Sequence, residues 1–198
     1  MKSPMLSKYP YGSNLDILWE DDPKMLGIRL SRYKFVSKML SGFNKVIEVG
    51  CGDGWLSKVV EHEVHHLIKT DGNPIEGIAH WNPVDGPYKA PIGVDGVYAL
   101  DVLEHVDKFQ EEAFISNICK TLNKNGVLII GMPSLELQPF ASPKSKESHI
   151  NCKTEKQLKD LVSKYFNNIF MFGMTDEVVH TGFAPMNCYR IALCVGVK

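Results

Sequence analysis

Residues 46–56 read VIEVGCGDGWL, and the fold is decided by this stretch. Its first part, residues 46–49, is mostly apolar and β-branched, which is typical of a strand buried in a parallel sheet. Glycines then follow at alternate positions before the apolar spacing widens to that of a helix. The pattern predicts a strand, a tight turn and a helix start, with backbone N–H groups free to bind a ligand.

The spacing of these glycines argues against a dinucleotide. A dinucleotide-binding loop has the form G-x-G-x-x-G, whereas this loop has the form G-x-G-x-G, with Glu48 two positions before the first glycine. A carboxylate at that point would repel a pyrophosphate, but it suits a ligand that carries a positive charge. The loop therefore points away from NAD and towards a nucleoside that bears an amino acid and a sulfonium.

Residues 48–54 closely resemble the first motif of class I S-adenosylmethionine-dependent methyltransferases. The resemblance implies S-adenosyl-L-methionine as cofactor and S-adenosyl-L-homocysteine as product. It also implies a set of cofactor-binding residues in the loop: Glu48, Gly50, Cys51, Gly52, Asp53 and Gly54.

A second strand is predicted to end at Asp71, 23 residues after Glu48. In a βαβ unit, an acid at the tip of the second strand can hydrogen-bond both ribose hydroxyls. The resemblance implies this role for Asp71, with Gly72 beside it. An alternative is that Asp71 only shapes the turn at residues 71–74, and the two roles are compatible.

Residues 74–92 are the least regular part of the core. In the family that the chain resembles, this region holds a helix, a third strand and an Asp or Asn that reads the adenine amino group. Trp81 is our candidate for stacking on adenine and Asn82 for hydrogen-bonding it, with Asp85 as the rival of Asn82.

Residues 93–106 give the second strong signal. An apolar run to Leu100 predicts a buried strand, and residues 100–106, LDVLEHV, are very similar to the fourth motif of many small-molecule methyltransferases. The resemblance places the backbone of this segment beneath the sulfonium end of the cofactor. The implied cofactor-binding residues are Leu100, Asp101, Val102 and His105.

Three side chains near this segment are candidates for further roles. Asp101 is expected to cap a helix or support the loop. His105, next to Glu104, either exchanges a proton with the acceptor or only packs against the cofactor. His149 comes shortly before a helix that Thr154 is expected to cap, at a place where many members of the family have a His close to the acceptor. It is our first candidate for general base, and its alternative role is to fix the loop.

The chain is predicted to form one domain, residues 1–198, with a Rossmann-like α/β fold. We expect a seven-stranded, mostly parallel sheet with helices on both faces and a C-terminal antiparallel hairpin. Residues 1–23 are expected to form a strap, or a lid that uses Tyr11 and Trp19. A helix is predicted over residues 22–40, with Arg29 and Arg32 on a solvated face or near the methionyl carboxylate.

The loops at residues 134–152 and 175–187 are expected to border the substrate. The first of them offers several candidate contacts: Ser134, Glu136, Gln138 and Phe140. The unusually apolar stretch at residues 180–186 is a candidate for packing beneath the substrate pocket or for a homodimer contact.

The composition and net charge of the chain limit the classes of partner that it is expected to bind. The net charge is −1 and no run of Lys or Arg occurs, so neither nucleic acid nor an anionic membrane has electrostatic support. A small-molecule or saccharide acceptor fits better. The five scattered cysteines predict reduced thiols in a cytoplasmic protein, and the absence of a metal-ligand motif predicts a metal-independent reaction.

These observations predict a methyltransferase that acts on a small polar acceptor, with the hydroxyl oxygen of a sugar or related metabolite as our preferred site. Oxygen is preferred because the sequence has no Asn/Asp-Pro-Pro-aromatic motif and a His base suits a hydroxyl. The alternative is a non-catalytic protein that binds S-adenosylmethionine for interaction or sensing.

Overall fold

The computed structural model describes residues 22–89 and 93–198, so the strap or lid prediction for Tyr11 and Trp19 lies outside the described residues. The centre of the fold is a single sheet of eight strands. The strands are β1 (Lys45–Val49), β2 (His66–Asp71), β3 (Ala79–His80), β4 (Val94–Leu100), β5 (Leu122–Pro133), β6 (Phe166–Thr175), β7 (Val178–His180) and β8 (Tyr189–Val197).

The strands lie in the order β3-β2-β1-β4-β5-β8-β6-β7. Neighbours from β3 to β5 are parallel, and the remaining pairs, β5 with β8, β8 with β6 and β6 with β7, are antiparallel. The predicted Rossmann-like α/β fold is confirmed. Because parallel strands end at the same edge, the segments that follow β1, β2 and β4 meet there.

The sheet differs from the predicted seven strands by the addition of β7. This short strand lies in the segment that we expected to be a loop, residues 175–187, and it pairs with β6. The expected antiparallel pairing of the last two long strands is present, because β6 pairs with β8 over Phe166 to Met174.

Five α-helices are described: α1 (Pro23–Met39), α2 (Lys58–Glu61), α3 (Glu111–Thr121), α4 (Pro143–Ser148) and α5 (Glu155–Ser163). The helix that was predicted to start after the glycine turn is α2, which has only four residues. Helix α5 begins as expected, because Thr154 and Gln157 form a reciprocal capping box. Within the described residues, no helix is long and apolar enough to cross a membrane.

Apolar side chains cover both faces of the sheet. Phe114 of α3 and Leu158 of α5 pack on one face with Ile47, whereas Val36 of α1 packs on the other with Val46. Val46 and Ile47 point to opposite faces because successive side chains alternate along a strand. The sheet is thus fixed between two layers of helix, which holds the loops at its carboxyl edge in place.

Candidate active site

The loop after β1 turns on glycines with positive φ: +73° at Gly50, +56° at Gly52 and +70° at Gly54. At Gly50, an added Cβ atom would lie 2.5 Å from Cγ2 of Val102, so no side chain fits there. The backbone N–H of Cys51 donates to the carbonyl of Thr70 at 2.9 Å. The loop is therefore held between β2 and the segment that follows β4.

Glu48 is buried beneath this loop, with 1% of its surface exposed. Its Oε1 accepts from the hydroxyl of Tyr33 and its Oε2 from the hydroxyl of Tyr98, each at 2.8 Å. Burial raises the pKa of Glu48, although the hydroxyl donors oppose that effect. These two hydrogen bonds fix the carboxylate of Glu48 beneath the loop, and its contact with the cofactor stays a prediction.

A cavity of about 510 Å³ opens at the carboxyl edge of the sheet, beside the glycine loop. We call it the first cavity, and its lining is Val49, Gly50, Asp71, Gly72, Asn73, Trp81, Asn82, Pro83, Val84, Asp85, Asp101, Val102, His105, Val106, Asp107, Gln110 and Phe114. Residues that were predicted from different motifs therefore line one cavity.

Asp71 is fixed at the end of β2 by two backbone donors. Its Oδ2 accepts from the N–H of Gly52 at 3.0 Å and its Oδ1 from the N–H of Asn73 at 2.8 Å. The side-chain amide of Asn73 is a third donor, with Nδ2 at 3.4 Å from Oδ1. An ionised carboxylate has roughly four lone-pair positions, so Asp71 retains capacity for a further donor. The turn role and the ligand role are compatible in this geometry.

Trp81 and Asn82 both line the first cavity, but they differ in accessibility. Trp81 is only 7% exposed, and its indole N–H donates to the carbonyl of Gly86 at 2.9 Å. Most of its ring therefore packs in the core and little remains for stacking. The Oδ1 of Asn82 accepts from the N–H of Val84 at 3.2 Å, which orients its amide. Asp85, the rival of Asn82, lines the same cavity.

A second cavity, also of about 510 Å³, lies on the other side of the loop. Its lining is Arg29, Tyr33, Gly50, Cys51, Gly52, Asp53, Leu56, Leu100, Asp101, His105, Lys144, Ser145, Ser148 and His149. Gly50, Asp101 and His105 line both cavities, and they therefore mark the boundary between the two.

Asp101 adopts a left-handed backbone conformation, with φ at +57°, at the end of β4. Its Oδ2 lies 2.6 Å from Nη1 of Arg32, and the Arg32 guanidinium carbon lies 3.8 Å above the ring of Tyr189. The side chain of Arg32 is 12% exposed, so of the two predicted alternatives for Arg32 the solvated face is excluded. The ion pair ties α1 to the loop after β4, in line with the supporting role expected for Asp101.

His105 and His149 meet at the second cavity, with ring centroids 5.2 Å apart. Nδ1 of His105 lies 2.9 Å from the carbonyl oxygen of Ser148. Because a carbonyl oxygen only accepts, Nδ1 carries the proton and Nε2 keeps a lone pair in the neutral ring. Burial and the neighbouring His105 lower the pKa of His149, so it is neutral at pH 7.

Three further predicted cofactor-binding residues, Cys51, Asp53 and Leu100, shape the site through packing and turn geometry. Burial raises the pKa of the Cys51 thiol to about 12, so it stays neutral. Oδ1 of Asp53 accepts from the N–H of Trp55 at 3.0 Å and shapes the turn. Leu100 is 5% exposed and supplies an apolar part of the second cavity wall.

The expected substrate contacts of the loop at residues 134–152 do not line either of these two cavities. Ser134 is fully buried, whereas Phe140 is 82% exposed. Glu136 pairs with Arg190 at 2.6 Å, and Arg190 is itself fully buried. Arg190 was not predicted as a site residue. An Arg within the apolar run of β8 nevertheless indicates a buried ion pair.

The sequence model of a family described as "Methyltransferase domain" matches residues 19–166. The chain belongs to this methyltransferase family. Its members use S-adenosylmethionine, so the cofactor prediction is confirmed. A comparison with curated proteins gave no match.

Solved structures show the same fold as this methyltransferase at low sequence identity. The N-methyltransferase NodS from Bradyrhizobium japonicum WM9, in complex with S-adenosyl-L-homocysteine, is 14% identical, with a TM-score of 0.62 and 93% of each chain covered. A SAM-dependent methyltransferase from Archaeoglobus fulgidus is 15% identical, with a TM-score of 0.66, and covers 92% of this chain and 100% of its own. The small RNA methyltransferase HEN1 is 17% identical, with a TM-score of 0.66, and covers 83% of this chain and 25% of its own.

The residues that the motifs predicted for the cofactor are divided between the two cavities, which meet at Gly50, Asp101 and His105. Those that line only the first cavity are Asp71, Gly72, Trp81, Asn82 and Val102, and those that line only the second are Cys51, Gly52, Asp53 and Leu100. Both candidate bases, His105 and His149, lie at the second cavity. Arg29, which also lines the second cavity, is the one basic side chain from α1 there. The carboxylate of Glu104 stands beside the two histidines, and its burial was not predicted.

Proposed function

We propose that this methyltransferase transfers a methyl group to the hydroxyl oxygen of a small polar acceptor, such as a sugar or a related metabolite. The observation that carries the proposal is the pair His105 and His149 at the second cavity, beside the boundary residues Gly50 and Asp101. Both imidazoles are able to accept a proton when neutral, and a hydroxyl must lose its proton on methylation.

In the proposed arrangement, S-adenosylmethionine supplies an activated methyl group on a sulfonium. Asp71 would bind the ribose hydroxyls through the lone pairs that Gly52 and Asn73 leave free. Asn82 would bind adenine, with Trp81 as an apolar wall. Arg29 would pair with the methionyl carboxylate, since it lines the second cavity close to the glycine loop.

The protein's main contribution would be to position the acceptor oxygen in line with the methyl carbon. Holding two reactants in the reactive geometry removes much of the entropic barrier. His149 would take the hydroxyl proton during or after transfer, because its lowered pKa keeps it neutral at pH 7. His105 is the alternative, with Nε2 as the accepting atom.

Charge is consistent with a small acceptor in the cytoplasm. The chain has a net charge of −1, and a nucleic-acid acceptor would favour a strongly basic surface. The structural neighbours include enzymes whose names give a nitrogen or an RNA acceptor, so the fold leaves the acceptor atom open. The second cavity, of about 510 Å³, has the size of a small-molecule site.

The first prediction concerns His149. A panel of sugars, nucleotide sugars and small alcohols is incubated with radiolabelled S-adenosylmethionine to find an acceptor. With that acceptor, His149→Ala should lower turnover by about 10²-fold or more, which is the usual contribution of a positioned acid or base. The affinity for S-adenosylhomocysteine, measured by calorimetry, should not change.

His65→Ala is the matched control, because His65 is exposed and lies before β2, outside both cavities. It should keep full turnover. If His149→Ala also kept full turnover, His149 would have no part in proton transfer. Binding of the cofactor without transfer to any acceptor of the panel would favour the non-catalytic alternative.

A further inference from the structure

We infer that Glu104, His105 and His149 form a binding site for a divalent transition-metal cation. The three side chains come from two segments, the short turn Leu103–His105 and the end of α4. Their ligand atoms all lie within 4.8 Å of one another, which places them around one ion after small side-chain adjustments. The sequence predicted no metal ion, because residues 106–148 separate the ligands and no compact motif is visible.

Glu104 gives the strongest reason to expect a ligand. The residue is fully buried, and neither of its carboxylate oxygens has a hydrogen-bond partner. A buried carboxylate without a partner is costly, and buried charges in proteins are normally paired or bound to metals. The neighbouring carboxylate, Asp101, already has Arg32 as its partner. Arg32 makes no hydrogen bond to Glu104, because neither Glu104 oxygen has a partner.

The histidines supply the second reason. Nδ1 of His149 is also buried without a partner. Nδ1 of His105 is held by the carbonyl of Ser148 at 2.9 Å, which directs the free Nε2 as a ligand. A hydrogen bond from the other ring nitrogen to a carbonyl is the usual support of a metal-binding His.

The backbone holds the two segments in register. The N–H of Asn151 donates to the carbonyl of Glu104 at 3.0 Å, two residues after His149. The ligands are therefore brought together by the native backbone, without a rearrangement of the loop. This preorganisation is what a binding site requires.

The ligand set indicates the class of cation. Two imidazoles and one carboxylate suit Mn²⁺, Fe²⁺, Co²⁺ or Zn²⁺ better than Ca²⁺, which prefers oxygen ligands. Three protein ligands leave coordination positions open for an oxygen from an acceptor. The site lies at the second cavity, since His105 and His149 line it.

The use of the cation rests on the proposed function. The cation would hold the acceptor hydroxyl and lower its pKa, so that the proton leaves to solvent water. The oxygen lone pair would then form the C–O bond to the methyl carbon as the C–S bond breaks and sulfur keeps the bonding pair. With the cation bound, the lone pairs of His105 and His149 would be used in coordination, so His149 would act as general base only in the protein without a cation.

The test measures cation binding directly. The full chain is freed of metal with a chelator and titrated with Mn²⁺, Co²⁺ and Zn²⁺ in separate calorimetric experiments, and the visible absorption of Co²⁺ reports its ligands. We expect one site per chain. Glu104→Gln and His149→Ala should each weaken binding by more than about 10-fold, since loss of even a supporting contact costs that much. His65→Ala is the control and should bind like the wild type.

Glu104→Gln keeps the shape of the side chain and cannot ionise in its buried position, so it should fold at least as well as the wild type. Absence of cation binding in the wild type, or equal binding by Glu104→Gln, would overturn the inference. S-adenosylhomocysteine affinity and methyl transfer are measured on the same samples. Transfer by the metal-free protein would reject the catalytic use of the cation and leave the proposed function intact. Cation binding without transfer to any acceptor of the panel would reject the proposed function and leave the cation site intact.

Discussion

At the scale of single residues, Gly50 is the position at which the cofactor loop has the least room. Its φ of +73° disfavours any other residue, and a Cβ atom would collide with Val102 at 2.5 Å. Gly77 has nearly the same φ, +76°, but nothing lies within 4 Å of its added Cβ. A substitution at Gly77 therefore measures the cost of the positive φ alone. A substitution at Gly50 measures that cost together with the steric clash against Val102.

Gly77→Ala should cost about 1–2 kcal/mol of stability from the left-handed conformation alone. Gly50→Ala should cost more, because Val102 must also move, and it should weaken binding of S-adenosylhomocysteine. Urea unfolding gives the first quantity and calorimetry the second. Equal effects of the two substitutions on cofactor binding would show that the Gly50–Val102 contact has no role in shaping the loop.

Glu48 makes stability depend on pH in an unusual direction. Its folded-state pKa is raised, mainly by burial, so the folded protein keeps the proton at pH values where the unfolded chain has released it. The folded state then binds more protons than the unfolded state, and stability falls as pH rises from about 4.3, the ordinary pKa of Glu, through the folded pKa.

Glu48→Gln removes this titration. The stability of the wild type relative to Glu48→Gln should therefore decrease as pH rises above about 4.3 and level off above the folded pKa. Thermal melts of both proteins between pH 4 and pH 8 give this difference. A constant difference across that range would contradict the raised pKa.

Some site residues were recognisable from the sequence and others were not. Asp71 and His149 were predicted from their places at strand and helix ends, and both line cavities at the expected edge. The burial of Arg32 and Glu104 was not predicted, because it depends on partners and surroundings that are distant in the chain. Local sequence indicates the hydrophobic periodicity of helices and strands and the positions of turns. It does not indicate which charged side chains lie close together in the folded protein.

At the scale of elements, the Arg32–Asp101 pair connects α1 to the end of β4. Arg32→Met should destabilise the protein by about 3 kcal/mol, because it leaves Asp101 unpaired beside the buried Glu104. Lys156→Met is the control, since it breaks an exposed i,i+4 pair with Asp160 and should cost less than about 1 kcal/mol. Urea unfolding of the two variants measures both costs, and similar values would show that the Arg32 pair is no stronger than a surface pair.

Buried secondary-structure elements were predicted more accurately than short strands at the edges of the sheet. Strand β4 is an apolar run that ends at Leu100, so its position was evident from the sequence. Strand β3 has two residues and β7 has three, and such short strands exist only because a neighbouring strand offers its free edge. Tertiary pairing of this kind has no periodic signal for sequence analysis to detect.

At the scale of the whole molecule, binding of the cofactor product should stabilise the fold. S-adenosylhomocysteine at about 100 times its dissociation constant should add about 2.7 kcal/mol. For a chain of 198 residues, that corresponds to a rise in melting temperature of about 5–10 °C. Differential scanning fluorimetry measures the shift. NADH at the same concentration should give none, and a larger shift with NADH would contradict the assignment of the glycine loop.

The position of β8 has a consequence for biosynthesis. This strand is the latest of the described strands to leave the ribosome, yet it lies between β5 and β6 in the sheet. Until it emerges, β5 has an open edge and the β6–β7 hairpin has no strand to join it to the rest. The nascent chain therefore has two unpaired strand edges, which are sites for aggregation. Binding of a chaperone during translation would be most useful until β8 has emerged.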